Sequence, residues 1–94
     1  MNKIILGVAF LALTVNVSAQ TMKETIGKHF LIGAAVSTRN IYSQDPKVKS
    51  AIADNFNAIV PENCMKGEVI HPEEDRYSWG DADATVKFAE DNNM

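Results

Sequence analysis

The sequence predicts an α/β fold: a parallel sheet or barrel built from strand, helix, strand and helix in that order. Three observations carry this. Residues 30–36 (FLIGAAV) are an unbroken apolar run bounded by polar residues, the pattern of a strand buried on both faces. Asp45-Pro46 opens a stretch with apolar residues at helical spacing. A second short apolar run, residues 58–60, is stopped by Pro61 and leads on to another helical pattern.

Ahead of these elements lies a different kind of segment. Lys3 supplies a positive charge, residues 4–15 are apolar apart from Gly7 and Thr14, and Val17-Ser18-Ala19 provides small residues for cleavage. That order describes a secretory signal peptide over residues 1–19. The apolar run is shorter than the roughly 20 residues a bilayer span needs. A buried core helix is the competing reading, but such a helix would carry a polar face. The expected product is a secreted protein, periplasmic or extracellular, with nothing further to anchor it in a membrane.

Met22, Ile26 and Phe30 recur at spacing four and predict a short helix over residues 21–29. The strand over 30–36 follows, with Gly33 marking a crowded position in the sheet. Asp45 caps free N–H groups and Pro46 suits the first helical position. Val48, Ala51 and Ile52 carry that helix to about Asn55. The strand over 58–60 comes next, then the polar residues Glu62, Asn63 and Lys66. Residues 72–76 are turn-rich. Asp81 is placed to cap a last helix over 82–91, with Ala82, Thr85, Val86 and Ala89 on one face.

The formal net charge of −3 argues against a nucleic-acid partner, which would require a basic patch. Cys64 is the lone cysteine, so no internal disulfide is available; a small buried apolar role fits it best. A catalytic thiol would need a histidine, and nothing in the spacing of His29 or His71 favours either. No metal or organic cofactor is implied. A domain this small, without a disulfide or a metal, buries a thin core. Its last residues, 91–94, read as a helix-to-strand connection, which suggests an incomplete domain.

In parallel α/β folds, ligand sites gather beyond the C-terminal ends of strands. Glu62, Asn63 and Lys66 stand there. A carboxylate accepts from hydroxyls, an amide donates and accepts, and an ammonium donates, so the three suit adjacent hydroxyls on a sugar ring. On spacing alone, a plain surface pair between Glu62 and Lys66, worth about 0–1 kcal/mol, competes with that reading. Two other readings stand beside an enzyme: a secreted glycan-binding module without catalysis, usually all-β, and a small secreted interaction protein.

The run Phe56-Asn57-Ala58-Ile59-Val60-Pro61-Glu62-Asn63-Cys64-Met65-Lys66 resembles the N-terminal signature of glycoside hydrolase family 10, close to "FN-x-[IV]-x-PEN-x-MK". Supporting phrases are Leu31-Ile32-Gly33-Ala34-Ala35-Val36, Val69-Ile70-His71-Pro72-Glu73-Glu74, Tyr77-Ser78-Trp79, and the helical stretch leading to Asn93-Met94. The resemblance covers about residues 22–94. It implies the N-terminal portion of a (β/α)8 TIM barrel, incomplete, with residues 20–94 as the first part of a catalytic domain. It also implies a retaining endo-1,4-β-xylanase acting on xylan or xylo-oligosaccharides. Glu62, Asn63 and Lys66 would then hold the xylose unit next-but-one to the cut on the glycone side. The catalytic carboxylates lie in later "NE" and "TE" phrases, neither of which occurs here, so residues 20–94 alone are expected to be inactive and poorly folded. Cys64 replaces a frequent Glu and Gly67 a frequent Trp or other large residue, two changes expected to reshape the glycone pocket. Asn92-Asn93 replaces the usual Asn-Gly. Trp79 could stack on a sugar, but loop or core packing is the stronger expectation; His71 is expected in a loop.

Overall fold

The computed structural model describes residues 18–94. The signal-peptide reading of residues 1–19 therefore falls almost wholly outside the described residues.

Helix α1, Met22–Thr25, is a single turn set by a capping box: Thr21 Oγ1 accepts from the Glu24 amide at 3.3 Å, and Glu24 Oε2 accepts from the Thr21 amide at 2.9 Å. The helix expected over 21–29 stops early. Beyond Ile26 the chain continues as turns, and a Cβ on Gly27 would collide with the Lys23 carbonyl oxygen. Lys23 Nζ reaches the Ala53 and Asn92 carbonyl oxygens, both at 3.4 Å, and so ties this turn to two later helix ends.

Strand β1 is Gly33–Val36 and strand β2 is Ala58–Pro61. They pair in parallel, Gly33 opposite Ala58 and Val36 opposite Pro61, as the alternating element order predicts. Two sequence expectations are corrected here. First, β1 begins at Gly33 rather than at residue 30, because the backbone of Ile32 is engaged by Asn57. The Ile32 N–H donates to Asn57 Oδ1 at 2.6 Å, and its carbonyl accepts from the Asn57 and Ala58 amides. Phe30 and Leu31 are left exposed, and along β1 only Val36 is buried, so the strand is not covered on both faces. Second, Gly33 is not crowded. An added Cβ would meet Ala58 O at 3.4 Å, an ordinary contact, because the residue opposite is itself small.

Helix α2, Thr38–Ile41, follows β1 directly and was not foreseen. Ser37 and Asn40 cap it reciprocally: Ser37 Oγ accepts from the Asn40 amide, and Asn40 Oδ1 accepts from the Ser37 amide. Helix α3, Pro46–Asn55, starts as expected, with the Asp45 carboxylate accepting from the Lys47 amide at 2.9 Å. A further single turn, α4, Gly67–Ile70, follows Lys66. Helix α5, Gly80–Asp91, begins two residues before the expected start at 82. Asp81 therefore lies inside its first turn rather than capping it. Its carboxylate is engaged by the Tyr42 hydroxyl, which donates to Oδ1 at 3.1 Å, while its carbonyl accepts from Thr85 Oγ1.

α5 ends in a Schellman motif. Asn93 adopts φ 56, the Met94 amide donates to Ala89 O at 2.8 Å, and the Asn93 amide donates to Glu90 O at 3.2 Å. The resemblance expects glycine at residue 93, and asparagine is among the few side chains that enter this left-handed region readily.

The buried residues converge beside the C-terminal ends of the strands. Val36 ends β1, Ile41 ends α2, Cys64 follows β2, and Ala82 and Thr85 come from the start of α5. Of the face expected on α5, Ala82 and Thr85 are buried, Ala89 is half-buried and Val86 is exposed. The mixture of helices with a parallel strand pair disfavours an all-β binding module.

Candidate functional site

The ladder between β1 and β2 continues one step past the strands, with the Glu62 amide donating to Val36 O at 2.9 Å. This bond fixes where the polypeptide leaves the sheet. Glu62 and Asn63 then form one wall of an open cleft of about 550 Å³. The other wall is Ser37, Thr38, Arg39 and Asn40, the segment that leaves β1. The cleft thus stands at the C-terminal ends of both strands, where parallel α/β folds bind ligands.

Lys66 joins the site through Asn63. Its ammonium donates to Asn63 Oδ1 at 2.8 Å, and its amide donates to the Asn63 carbonyl at 3.0 Å. The three residues singled out in the sequence are therefore brought together: Glu62 and Asn63 on the cleft wall, and Lys66 bonded to Asn63. All three are exposed. The surface pair between Glu62 and Lys66 does not form; among the described residues neither makes an ion pair within 4.0 Å. With Oδ1 held by Lys66, Asn63 presents its amide nitrogen as a donor, beside the acceptor oxygens of Glu62. Lys66 has two further N–H bonds to give. This is a complementary set for vicinal hydroxyl groups.

Cys64 turns away from the cleft. It is buried, with Sγ 3.5 Å from Thr85 Oγ1, so the small apolar role expected for it holds. Its replacement of a frequent Glu therefore alters the core beneath α5 rather than the cleft lining, a correction to the pocket-shape expectation. Gly67 faces open space: a Cβ there meets nothing within 4 Å. Like Cys64, it is absent from the cleft lining.

The loop after α4 is organised by its own side chains. His71 stacks on Tyr77 with ring centroids 4.2 Å apart, and Tyr77 on Trp79 at 5.6 Å, both pairs within 2° of parallel. His71 Nε2 lies 2.8 Å from the Glu74 carbonyl oxygen, and Arg76 pairs with Glu73 at 3.2 Å. Trp79 thus packs on a loop neighbour, as expected, and His71 lies in that loop.

Sequence reasoning missed the wall formed by residues 37–40. The rule that picked out Glu62, position just after a parallel strand, applies equally to the residues after Val36. The Ser37-x-x-Asn40 spacing also marked a helix start there.

Residues 21–94 match the sequence profile of Glycosyl hydrolase family 10. Over 74 residues the chain is 60% identical to endo-1,4-beta-xylanase A of Xylanibacter ruminicola, covering 79% of this chain and 20% of that protein. It is 46% identical to a beta-1,4-xylanase of Dictyoglomus thermophilum, with the same coverage of each. The chain spans about a fifth of the length of these curated relatives. Among solved structures, xylanase 10B from Thermotoga petrophila RKU-1 in complex with xylobiose matches at TM-score 0.74 and 37% identity, over 82% of this chain and 24% of that one.

Proposed function

The chain belongs to glycosyl hydrolase family 10, and from that premise we propose that its full-length protein is an exported, retaining endo-1,4-β-xylanase. Glu62, Asn63 and Lys66 hold the xylose unit next-but-one to the cut on the glycone side. The observation that carries this reading is the cleft at the ends of β1 and β2. Glu62 and Asn63 line it, and Lys66 is bonded to Asn63.

Retaining hydrolysis uses two carboxyl groups about 5–5.5 Å apart, one attacking the anomeric carbon and one protonating the leaving oxygen. The family places that pair on later strands. Glu62, Asn63 and Lys66 take no part in bond breaking. They fix the ring of a neighbouring sugar, so that the reacting sugar is presented in one orientation. Binding energy from a remote subsite of this kind supports turnover and not only affinity. Residues 20–94 by themselves are accordingly inactive in this reading.

Lys66→Ala in the full-length enzyme tests the assignment. A hydrogen bond from a charged group is worth about 1.5–3 kcal/mol, so kcat/KM on short xylo-oligosaccharides should fall about 10- to 100-fold, with kcat lowered. Unchanged kinetics on those substrates would remove the binding role. Export is supported by the charge and apolar pattern of residues 1–19. N-terminal sequencing of the exported protein should begin at Gln20; an intact Met1 in the exported protein refutes cleavage.

A further inference from the structure

A cut after Ala19, as proposed above for the exported protein, makes Gln20 the first residue of the mature chain, and its chemistry at that place rests on that reading. Gln20 is exposed, and among the described residues neither its backbone nitrogen nor its side chain makes a hydrogen bond. The capping box of α1 begins one residue later and uses none of the reacting atoms of Gln20. It is built from the Thr21 amide and Oγ1 and the Glu24 amide and Oε2. The α-amine freed by the cut and the side-chain amide of Gln20 can therefore meet without breaking any bond that holds α1.

We propose that Gln20 is a modification site, where the mature N-terminus closes on itself to pyroglutamate. Nα attacks the side-chain amide carbon: the Nα–Cδ bond forms, the Cδ–Nε2 bond breaks, and Nε2 leaves as ammonia with the proton that Nα gives up. No oxidant, reductant or second substrate is consumed. An α-amine titrates near pH 7.7–8.0, so about a tenth of it is in the neutral, nucleophilic form at pH 7. The lactam that results is uncharged. It removes an ammonium from beside the N-terminus of α1, where the free backbone N–H groups already carry partial positive charge. It also leaves no free α-amine for an aminopeptidase to engage. That protection has a structural object. Trimming past Gln20 would strip the Thr21 cap and then reach Lys23, whose ammonium joins the Ala53 and Asn92 carbonyl oxygens and so holds the ends of α3 and α5 together.

The test uses the full-length exported protein and reads its N-terminal peptide by mass spectrometry, since a blocked terminus resists stepwise degradation. A synthetic peptide with an uncyclised N-terminal glutamine passes through the same digestion, so that ring closure during handling is subtracted. The peptide should begin at residue 20 and weigh less than the encoded sequence by one ammonia. The intact protein should resist an aminopeptidase until a pyroglutamyl peptidase has removed the first residue. Gln20→Asn keeps a side-chain amide but is one methylene too short to close the five-membered ring. That variant should retain the full mass and be open to the aminopeptidase at once. A peptide that begins at Gln20 with its ammonia retained overturns the proposal, as does an Asn variant as resistant as the wild type. A chain that begins at any other residue overturns the cut after Ala19 instead, so the first residue of the peptide tells the two failures apart.

Discussion

The most demanding test of the fold concerns Asn57, whose side chain bridges two backbone segments ahead of β1. Its Oδ1 accepts from the Ile32 amide at 2.6 Å, and its Nδ2 donates to the Gly27 carbonyl at 3.2 Å. Both bonds are partly buried. A neutral hydrogen bond contributes about 0.5–1.5 kcal/mol net, so Asn57→Ala should cost the full-length protein about 1–3 kcal/mol in equilibrium urea unfolding. The loss should be local as well as global. With its acceptor removed, the Ile32 amide should exchange with solvent about 5- to 30-fold faster, the factor that corresponds to roughly 1–2 kcal/mol. Asn57→Asp separates the two bonds. It keeps an acceptor for Ile32 but sets a carboxylate oxygen against the Gly27 carbonyl, so it should restore Ile32 protection without restoring full stability. The reasoning is refuted if Ile32 exchange is unchanged in Asn57→Ala, or if Asp protects that amide no better than Ala.

Single contacts elsewhere give three more expected outcomes. Gly27→Ala should destabilise by about 1–3 kcal/mol in urea unfolding, because the new methyl group meets the Lys23 carbonyl and stands 3.0 Å from Asn57 Nδ2; wild-type stability would show that the turn relaxes freely. Asn93→Ala should cost about 1–2 kcal/mol, since alanine enters the left-handed region at φ 56 with a steric penalty, whereas Asn93→Gly should not destabilise; equal stability of the Ala and Gly variants would count against a strained cap. The Asp81 carboxylate, first through its hydrogen bond and also through its charge, raises the Tyr42 phenol above its usual value. The folded state thus holds that proton more tightly, and the stabilisation is present below the ordinary phenol pKa and lost as pH rises through the raised one. In ultraviolet titration, the component missing from Tyr42→Phe should move to lower pH in Asp81→Asn; no movement would dismiss the coupling.

The parts of the fold legible in the sequence were those decided within a few residues. Asp45-Pro46 announced α3 because an N-cap and a first-position proline are local devices, whereas Pro61, read as stopping the second strand, is its last residue, paired with Val36. The parallel pairing followed from alternation alone. What escaped was set by distant partners. The strand over 30–36 was shortened because Asn57, 25 residues away, takes the Ile32 amide. Asp81 read as a cap, yet its carboxylate serves Tyr42, 39 residues earlier. The single-turn helices α2 and α4 carry too few residues to display a period at all. At the site, Glu62, Asn63 and Lys66 were visible as a polar cluster after an apolar run. The wall opposite, residues 37–40, was not, because only parallel pairing brings the two strand exits side by side.

The bond from the Glu62 amide to Val36 divides labour within one residue. The main chain of Glu62 anchors the architecture, while its carboxylate makes no internal ion pair among the described residues. If Glu62 binds sugar as proposed, a library of replacements at this position in the full-length protein should leave abundance nearly flat while catalytic output falls, with proline, which has no amide hydrogen, as the exception that harms both. Under the proposed sugar-binding role, selection can thus retune ligand preference at this residue without renegotiating how the molecule assembles.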